Sequence, residues 1–448
     1  MAVKCLVIQL LLLLLVSASR GSGSSSHDAR PVRVLSIRQE AQSEGLHSLM
    51  VAAGKLFFGT ATDTNLFNDT AYQSIATNAN EFGLHVPENS QKWQPTEPVE
   101  GQFDFVNPDT VASRARAQGQ MFRCHTLTWH SQLPNFVQTT QWTRETLTLA
   151  IQTHITNTVT HFKGQCYSWD VVNEALNDNG TMRNDVFFRT LGTDYLAISF
   201  LAARAADPGA KLYYNDFNLE TLQAKADGAV RIIQLLQQQQ QSTSGAVVTP
   251  VVDGVGFQAH FNVGQTPNKT SLMATMSRFV AMGLEVSFSE LDIAHTRLPA
   301  TEAALRQQAE DYVTVVDACL STPRCVGITV WEFTDKYSWI PSTFPGEGDA
   351  CLFSANMTRK PAYSSVSSFL ASAAATAKPG GGSSSTRVGG AAAAASASGT
   401  GVRGNTAPFT TGSPADSALR SSSSAPAGII KGAGLWMVVL VGVSWAWR

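Results

Sequence analysis

Eight short β-rich runs alternate along this chain with longer stretches whose apolar residues recur at helical spacing, and no other feature restricts its fold so tightly. The runs are approximately Phe57 to Thr60, Gly83 to Pro87, Gln120 to Leu127, Ser168 to Asn173, Lys211 to Asn215, Gly254 to Gln258, Glu285 to Leu291 and Val326 to Val330. The helical stretches include Thr143 to Phe162, Val186 to Ala206, Glu220 to Gln240 and Thr301 to Cys319. Strands separated by helices pair in parallel, and eight such units in the body from 46 to 370 predict a single α/β domain, a (β/α)8 TIM barrel. A doubly wound open sheet usually has fewer strands and often a Gly-rich turn after the first; here Thr60-Ala61-Thr62-Asp63 follows instead.

The two ends read differently from this body. Lys4, an apolar run from Leu6 to Val16 and the small residues Val16-Ser17-Ala18 have the layout of a cleaved secretory signal over 1–18, followed by a leader segment over 19–45. The run falls short of the roughly 20 apolar residues of a membrane span. Residues 371–424 are almost entirely Ala, Gly, Ser, Thr and Pro, which cannot bury enough apolar surface to offset ordering entropy, so a disordered linker is expected. Small residues Ser421 to Ser424, a spacer and the apolar tail Leu435 to Trp447 follow in the order of a glycosylphosphatidylinositol (GPI) attachment signal. Ser422 is the expected attachment residue and 425–448 the removed propeptide; a short transmembrane helix is the alternative, and either tethers the protein outside the cell.

The body agrees with export. It carries Asn-x-Ser/Thr sequons at Asn68, Asn179, Asn268 and Asn356. Cys319 and Cys325 bracket a short loop and can form a disulfide, whereas Cys124, Cys166 and Cys351 show no obvious pairing; the odd count leaves at least one thiol free or intermolecular. A net charge of −2 offers no basic surface for nucleic acid, no zinc-type Cys/His spacing appears, and no metal or cofactor is expected.

Active sites of barrels lie at the C-terminal ends of the strands, so polar residues that finish a hydrophobic strand call for explanation. Trp169-Asp170-Val171-Val172-Asn173-Glu174 ends the fourth run, and Val286-Ser287-Phe288-Ser289-Glu290-Leu291-Asp292 places Glu290 at the end of the seventh. Two carboxylates across one barrel mouth can flank a glycosidic bond, one donating a proton to the leaving oxygen and the other meeting the oxocarbenium-like carbon. A lone glutamate is more often a surface or rim ion pair; placement and neighbours count against that here.

At these residues the chain resembles glycoside hydrolase family 10, the xylanases of the 4/7 superfamily, over about Leu56 to Tyr363. The resemblance implies Glu174 as general acid/base, Glu290 as nucleophile and Asn173 as a donor to the sugar 2-hydroxyl. Glu88-Asn89-Ser90-Gln91-Lys92-Trp93 is similar to the family's Glu-Asn-x-x-Lys-Trp segment, whose Glu88, Asn89 and Lys92 would hold glycone sugars. In His125-Thr126-Leu127-Thr128-Trp129-His130-Ser131-Gln132, His125 and Trp129 would line the cleaved sugar's site and Gln132 the next one. Alternation points Gln258 and His260 to one side, and in the family that histidine bonds the nucleophile. Such a bond would keep Glu290 ionised while the surroundings raise the pKa of Glu174. Trp331 and Trp339 resemble aromatic walls, Trp339 and Lys92 would help exclude glucose, and Tyr214 and Asn215 resemble leaving-side contacts.

The sequence departs from common family patterns at Cys124, at Asn135-Phe136 and at Glu332, where many members have Gly. The expected activity is retaining endo-β-1,4-xylanase cleavage of xylan by a secreted, surface-tethered monomer whose only membrane contact is the anchor. The alternatives are a β-1,4-glucanase of the same superfamily, separable by rates on xylan and soluble cellulose, and a weakly catalytic surface carbohydrate-binding protein.

Overall fold

A computed structural model describes residues 44–243 and 250–377. The secretory signal, the leader as far as residue 43, the linker beyond residue 377, Ser422 and the propeptide lie outside the described residues.

The strands are β1 (Phe57–Thr62), β2 (Leu84–Pro87), β3 (Met121–Trp129), β4 (Ser168–Asn173), β5 (Lys211–Asp216), β6 (Gly254–Phe257), β7 (His260–Asn262), β8 (Glu285–Ala294) and β9 (Cys325–Val330). Eight of them pair in parallel around a ring in which β6 joins β8 and β9 joins β1, closing the barrel. The short β7 is additional: it lies against the far end of β8, with His260 opposite Asp292. The expected barrel is therefore present.

Strict alternation does not carry the polar residues to the mouth; two irregularities do. The pairing of β4 with β5 shifts between Asp170 and Val172, so one extra residue intervenes in β4. As a result Asp170 and Asn173, three apart, both face inward, while Trp169 and Val171 pack into the apolar layer outside the barrel. A second shift, in β8 between Phe288 and Leu291, brings Ser289 and Glu290 together against Asn215.

The helices surround this ring with their apolar faces buried. Helix Arg144–His161 starts at a capping box in which Thr143 and Thr146 satisfy each other's exposed N–H groups. The helix expected over Val186 to Ala206 is two helices, Val186–Leu191 and Asp194–Ala206. The chain turns between them at Gly192, whose φ of 62° is open to glycine and costly for other residues. The expected helix from Glu220 begins later, at Gln223, leaving Glu220 free to act from a loop. The last helix, Pro361–Thr376, continues past Leu370, so the first six residues of the expected linker are helical.

Two disulfides are present. Cys319–Cys325 matches expectation, and Cys124–Cys166 supplies the pairing that spacing left open, joining β3 to the turn before β4. Cys351 is a buried free thiol.

Candidate active site

Glu174 follows β4 directly, its N–H donating to Asn215 O at 2.9 Å and its φ held at 56°. Its Oε2 accepts the Trp129 indole N–H at 2.9 Å, and its Oε1 accepts the Gln258 amide at 3.1 Å and the Asn173 amide at 3.3 Å. Arg183 donates to its carbonyl oxygen at 3.0 Å and fixes the backbone. Burial raises the pKa of the carboxyl, but His130, the Trp129 and Gln258 donors and Arg183 outweigh it, so the pKa lies below the ordinary value. The expected upward shift is thus reversed: Glu174 here accepts hydrogen bonds that favour its anion. His130 is itself held near 4 by burial, so above that pH its ring is uncharged and the Trp129 and Gln258 donors and Arg183 carry the effect.

Glu290 is 4 % exposed and is gripped on both oxygens. Asn215 donates to Oε1 at 2.8 Å, and His260 Nε2 lies 3.2 Å from Oε2. The other nitrogen of His260 lies 3.0 Å from Asp292 Oδ1. Burial alone would strip this ring of its proton, yet Asp292 and Glu290 outweigh it and lift its pKa to about 10. His260 is therefore a cation between two carboxylates.

Asn215 also donates to Asn173 Oδ1 at 2.8 Å, so amides link the two glutamates from Glu290 through Asn215 and Asn173 to Glu174. A side chain at residue 256 would leave no room for this: a Cβ there would stand 2.2 Å from Asn215 Oδ1, so glycine is required by close approach.

On one side of the pair the cleft is lined by the segment after β2. Asp63 Oδ2 accepts the N–H groups of Asn89 and Ser90, each at 2.8 Å, and so shapes the turn. Lys92 Nζ donates to Asn89 Oδ1 at 3.0 Å and sits 4.7 Å from the centre of the Trp129 ring. Gln132 reaches the same Asn89 oxygen, and a groove bordered by Asn89, Gln94, Asn107 and Gln132 continues outward. Burial pushes the Glu88 carboxyl up to about 7 against the opposing pull of Lys92. Trp339 donates to Asp292 Oδ2 at 2.8 Å and meets the His260 ring edge-on, whereas Trp331 is 6 % exposed and packs on β1 and β2 with its edge to His125.

Most of the expected site residues converge here, but several do so behind the cleft surface. Tyr214, expected as a leaving-side contact, is fully buried with its hydroxyl donating to Asp216; Asn215, expected beside it, is fully buried and holds Glu290. Gln258 is 2 % exposed and serves Glu174. The alternation argument for Gln258 and His260 fails at Ala259, whose φ of 59° ends the strand between them.

Other contributors were not foreseen. Asp170 accepts two hydrogen bonds from Arg123 at 2.7 Å and lies 2.8 Å from His125 Nδ1, so a fully buried carboxylate orients the histidine. Gln91 accepts the His125 N–H at 2.9 Å. Glu332 is buried at φ 65° beneath the Glu88 side, accepting from the Tyr72 hydroxyl at 3.1 Å. An acidic residue inside a strand, such as Asp170, was the available signal, since a buried charge needs a partner. The sequon asparagines Asn68, Asn179, Asn268 and Asn356 are all exposed. Among the described residues no group of His, Cys, Asp and Glu could hold a metal ion.

Comparison with known proteins gives a consistent picture. The profile of glycosyl hydrolase family 10 matches residues 45–369. Endo-1,4-beta-xylanase 5 of Pyricularia oryzae is 58 % identical over 331 residues, 74 % of this chain and 80 % of that protein. Endo-1,4-beta-xylanase 1 of Humicola insolens is 52 % identical over 330 residues, 73 % of this chain and 75 % of that one. Among solved structures, the Penicillium canescens endo-1,4-beta-xylanase superposes with a TM-score of 0.69 at 38 % identity, covering 73 % of this chain and 98 % of its own. A family 10 xylanase from a Bispora species, solved with xylobiose, gives a TM-score of 0.69 at 39 % identity over 72 % of this chain and 99 % of its own.

Proposed function

The chain belongs to glycosyl hydrolase family 10, and on that footing we propose that Glu290 and Glu174 are the nucleophile and the acid/base of a retaining endo-1,4-β-xylanase. The activity is that of a glycoside hydrolase acting on xylan, as the kinship with endo-1,4-beta-xylanases indicates. The observation that carries the assignment of roles is the unequal company of the two carboxylates. Glu290 has a cation, His260, at 3.2 Å and suits the group that must stay ionised. The Glu174 carboxyl takes its hydrogen bonds from neutral donors, with the Arg183 cation bonded to its backbone carbonyl and not to the carboxyl, and it lies at the more open position.

In the first step a Glu290 oxygen bonds to the anomeric carbon as the glycosidic carbon–oxygen bond breaks, and the leaving oxygen takes the proton of Glu174. In the second, Glu174 removes a proton from water, whose oxygen bonds to the anomeric carbon as the ester to Glu290 breaks. Net configuration is retained. A bound sugar chain would displace water from the cleft and weaken the anionic form of Glu174, which supplies the proton that the free site does not favour.

The anomer first formed from xylohexaose tests this reading. The β-anomer, with activity lost in Glu290→Ala, is expected; an initial α-anomer or undiminished activity in the variant would overturn it.

The enzyme is also proposed to act outside the cell on a GPI tether. The order of apolar leader, Ser/Gly/Ala-rich linker and terminal apolar tail supports this, as do two disulfides. Release of cell-bound activity by a phosphatidylinositol-specific phospholipase is the expected result; retention would reject a lipid anchor cleavable by that enzyme.

A further inference from the structure

Beyond β5 the barrel wall changes hands. The Gln258 N–H still donates to Asp216 O at 3.1 Å, but β5 ends there, and the next N–H, that of Ala259, has no strand to meet. It donates instead to Glu220 Oε1 at 2.8 Å. Glu220 comes from the loop between β5 and helix Gln223–Thr243 and is 6 % exposed. Its other oxygen has no hydrogen-bond partner among the described residues.

The residue so held is unusual. Ala259 is fully buried with φ at 59°, a left-handed conformation that residues with a Cβ rarely adopt and that persists where surrounding contacts enforce it. Its carbonyl oxygen accepts the Asp292 N–H at 3.4 Å, so the turn is pinned from both sides. The residues before and after it serve different carboxylates: Gln258 donates to Glu174, and His260 contacts Glu290.

We infer that Glu220 is a positioning residue for both catalytic glutamates, fixing through the Ala259 N–H the left-handed turn that sends Gln258 to Glu174 and His260 to Glu290. The role needs an acceptor and not a charge. Burial raises the Glu220 carboxyl to about 7, against its own N–H, that of Ala259, His260 and Lys225, so much of it is uncharged near neutrality while still accepting.

Three variants test this, resting on the roles assigned above to Glu174 and Glu290. Glu220→Gln keeps the acceptor and loses the titratable carboxyl; Glu220→Asp keeps a carboxyl and withdraws the acceptor by about 1.5 Å; Glu220→Ala lacks both. Misplacing reacting groups by about an ångström can cost roughly 10²-fold in rate, so kcat should fall by about that factor in Glu220→Ala and Glu220→Asp. The pH profile of kcat/KM should also change shape in both, because the His260 cation no longer faces Glu290. Glu220→Gln should keep most of the wild-type kcat and its pH profile. If Glu220→Ala fails to fold, the Gln and Asp pair decides. Normal kcat in Glu220→Asp, a deep loss in Glu220→Gln, or a lowered melting temperature with an unmoved pH profile overturns the inference. Those results would leave the assignment of Glu290 standing, since that assignment fails on an initial α-anomer or on undiminished activity in Glu290→Ala.

Discussion

His260 Nε2 stands 3.2 Å from Glu290 Oε2, with Asp292 3.0 Å from the opposite nitrogen of the same ring. A single imidazolium thus faces the proposed nucleophile on one side and its own counter-charge on the other. Removing it in His260→Gln should lower kcat/KM by about 10²-fold, the order found for deleting one aimed donor in a dry site. The same residue links stability to pH. Its pKa is raised from 6.5 to about 10, so its contribution is fully present below about 6.5 and is lost as pH rises through 10. Urea midpoints across that window should fall more steeply for the wild type than for His260→Gln.

Trp129 donates its indole N–H to Glu174 at 2.9 Å. Trp129→Phe keeps an aromatic face and removes the donor, so the anion of Glu174 loses support and the alkaline limb of kcat/KM should move to higher pH. Losing one charge-assisted hydrogen bond, worth about 1.5 kcal/mol, should cost about tenfold in rate at the optimum. An alkaline limb that stays in place would separate Trp129 from the proposed acid/base, Glu174.

Glu88 titrates near 7 because burial outweighs the attraction of Lys92. An acid whose pKa is raised on folding holds its proton in the native state when the unfolded chain has released it, so its contribution is present below about 4.5 and lost as pH rises through 7. Glu88→Gln should flatten the decline of stability between these values, measured as denaturation midpoint against pH.

The Cys124–Cys166 bond closes a loop of 42 residues between β3 and β4. Replacing both by Ser should destabilise the domain by about 2–4 kcal/mol, the usual range for such a bond. Equilibrium denaturation of the double variant against wild type measures it, and an unchanged midpoint would count against any role in stability.

The barrel and the strands that carry the candidate site were legible because short apolar runs ending in Asn-Glu and Ser-Glu carry the period and the position together. What escaped was what period-two reasoning cannot see. The shifts in β4 and β8 alter which residues face inward, and no local signal announces them. Asp170 was hidden because its partner Arg123 is 47 residues away in sequence. Tyr214 was misjudged because a residue ending a strand can turn behind the wall as well as into the mouth. The reversed shift of Glu174 depends on His130, Trp129, Gln258 and Arg183, which end or follow three different strands, a property of closure and not of any segment.

The link between the two glutamates runs through the amides of Asn173 and Asn215, with Gln258 beside them. Amides neither gain nor lose a proton across the pH range in which carboxyls and imidazoles do. A histidine or an aspartate at either place would have made the link between Glu290 and Glu174 a function of acidity. As built, the link is chemically silent: none of its amides changes charge as acidity changes.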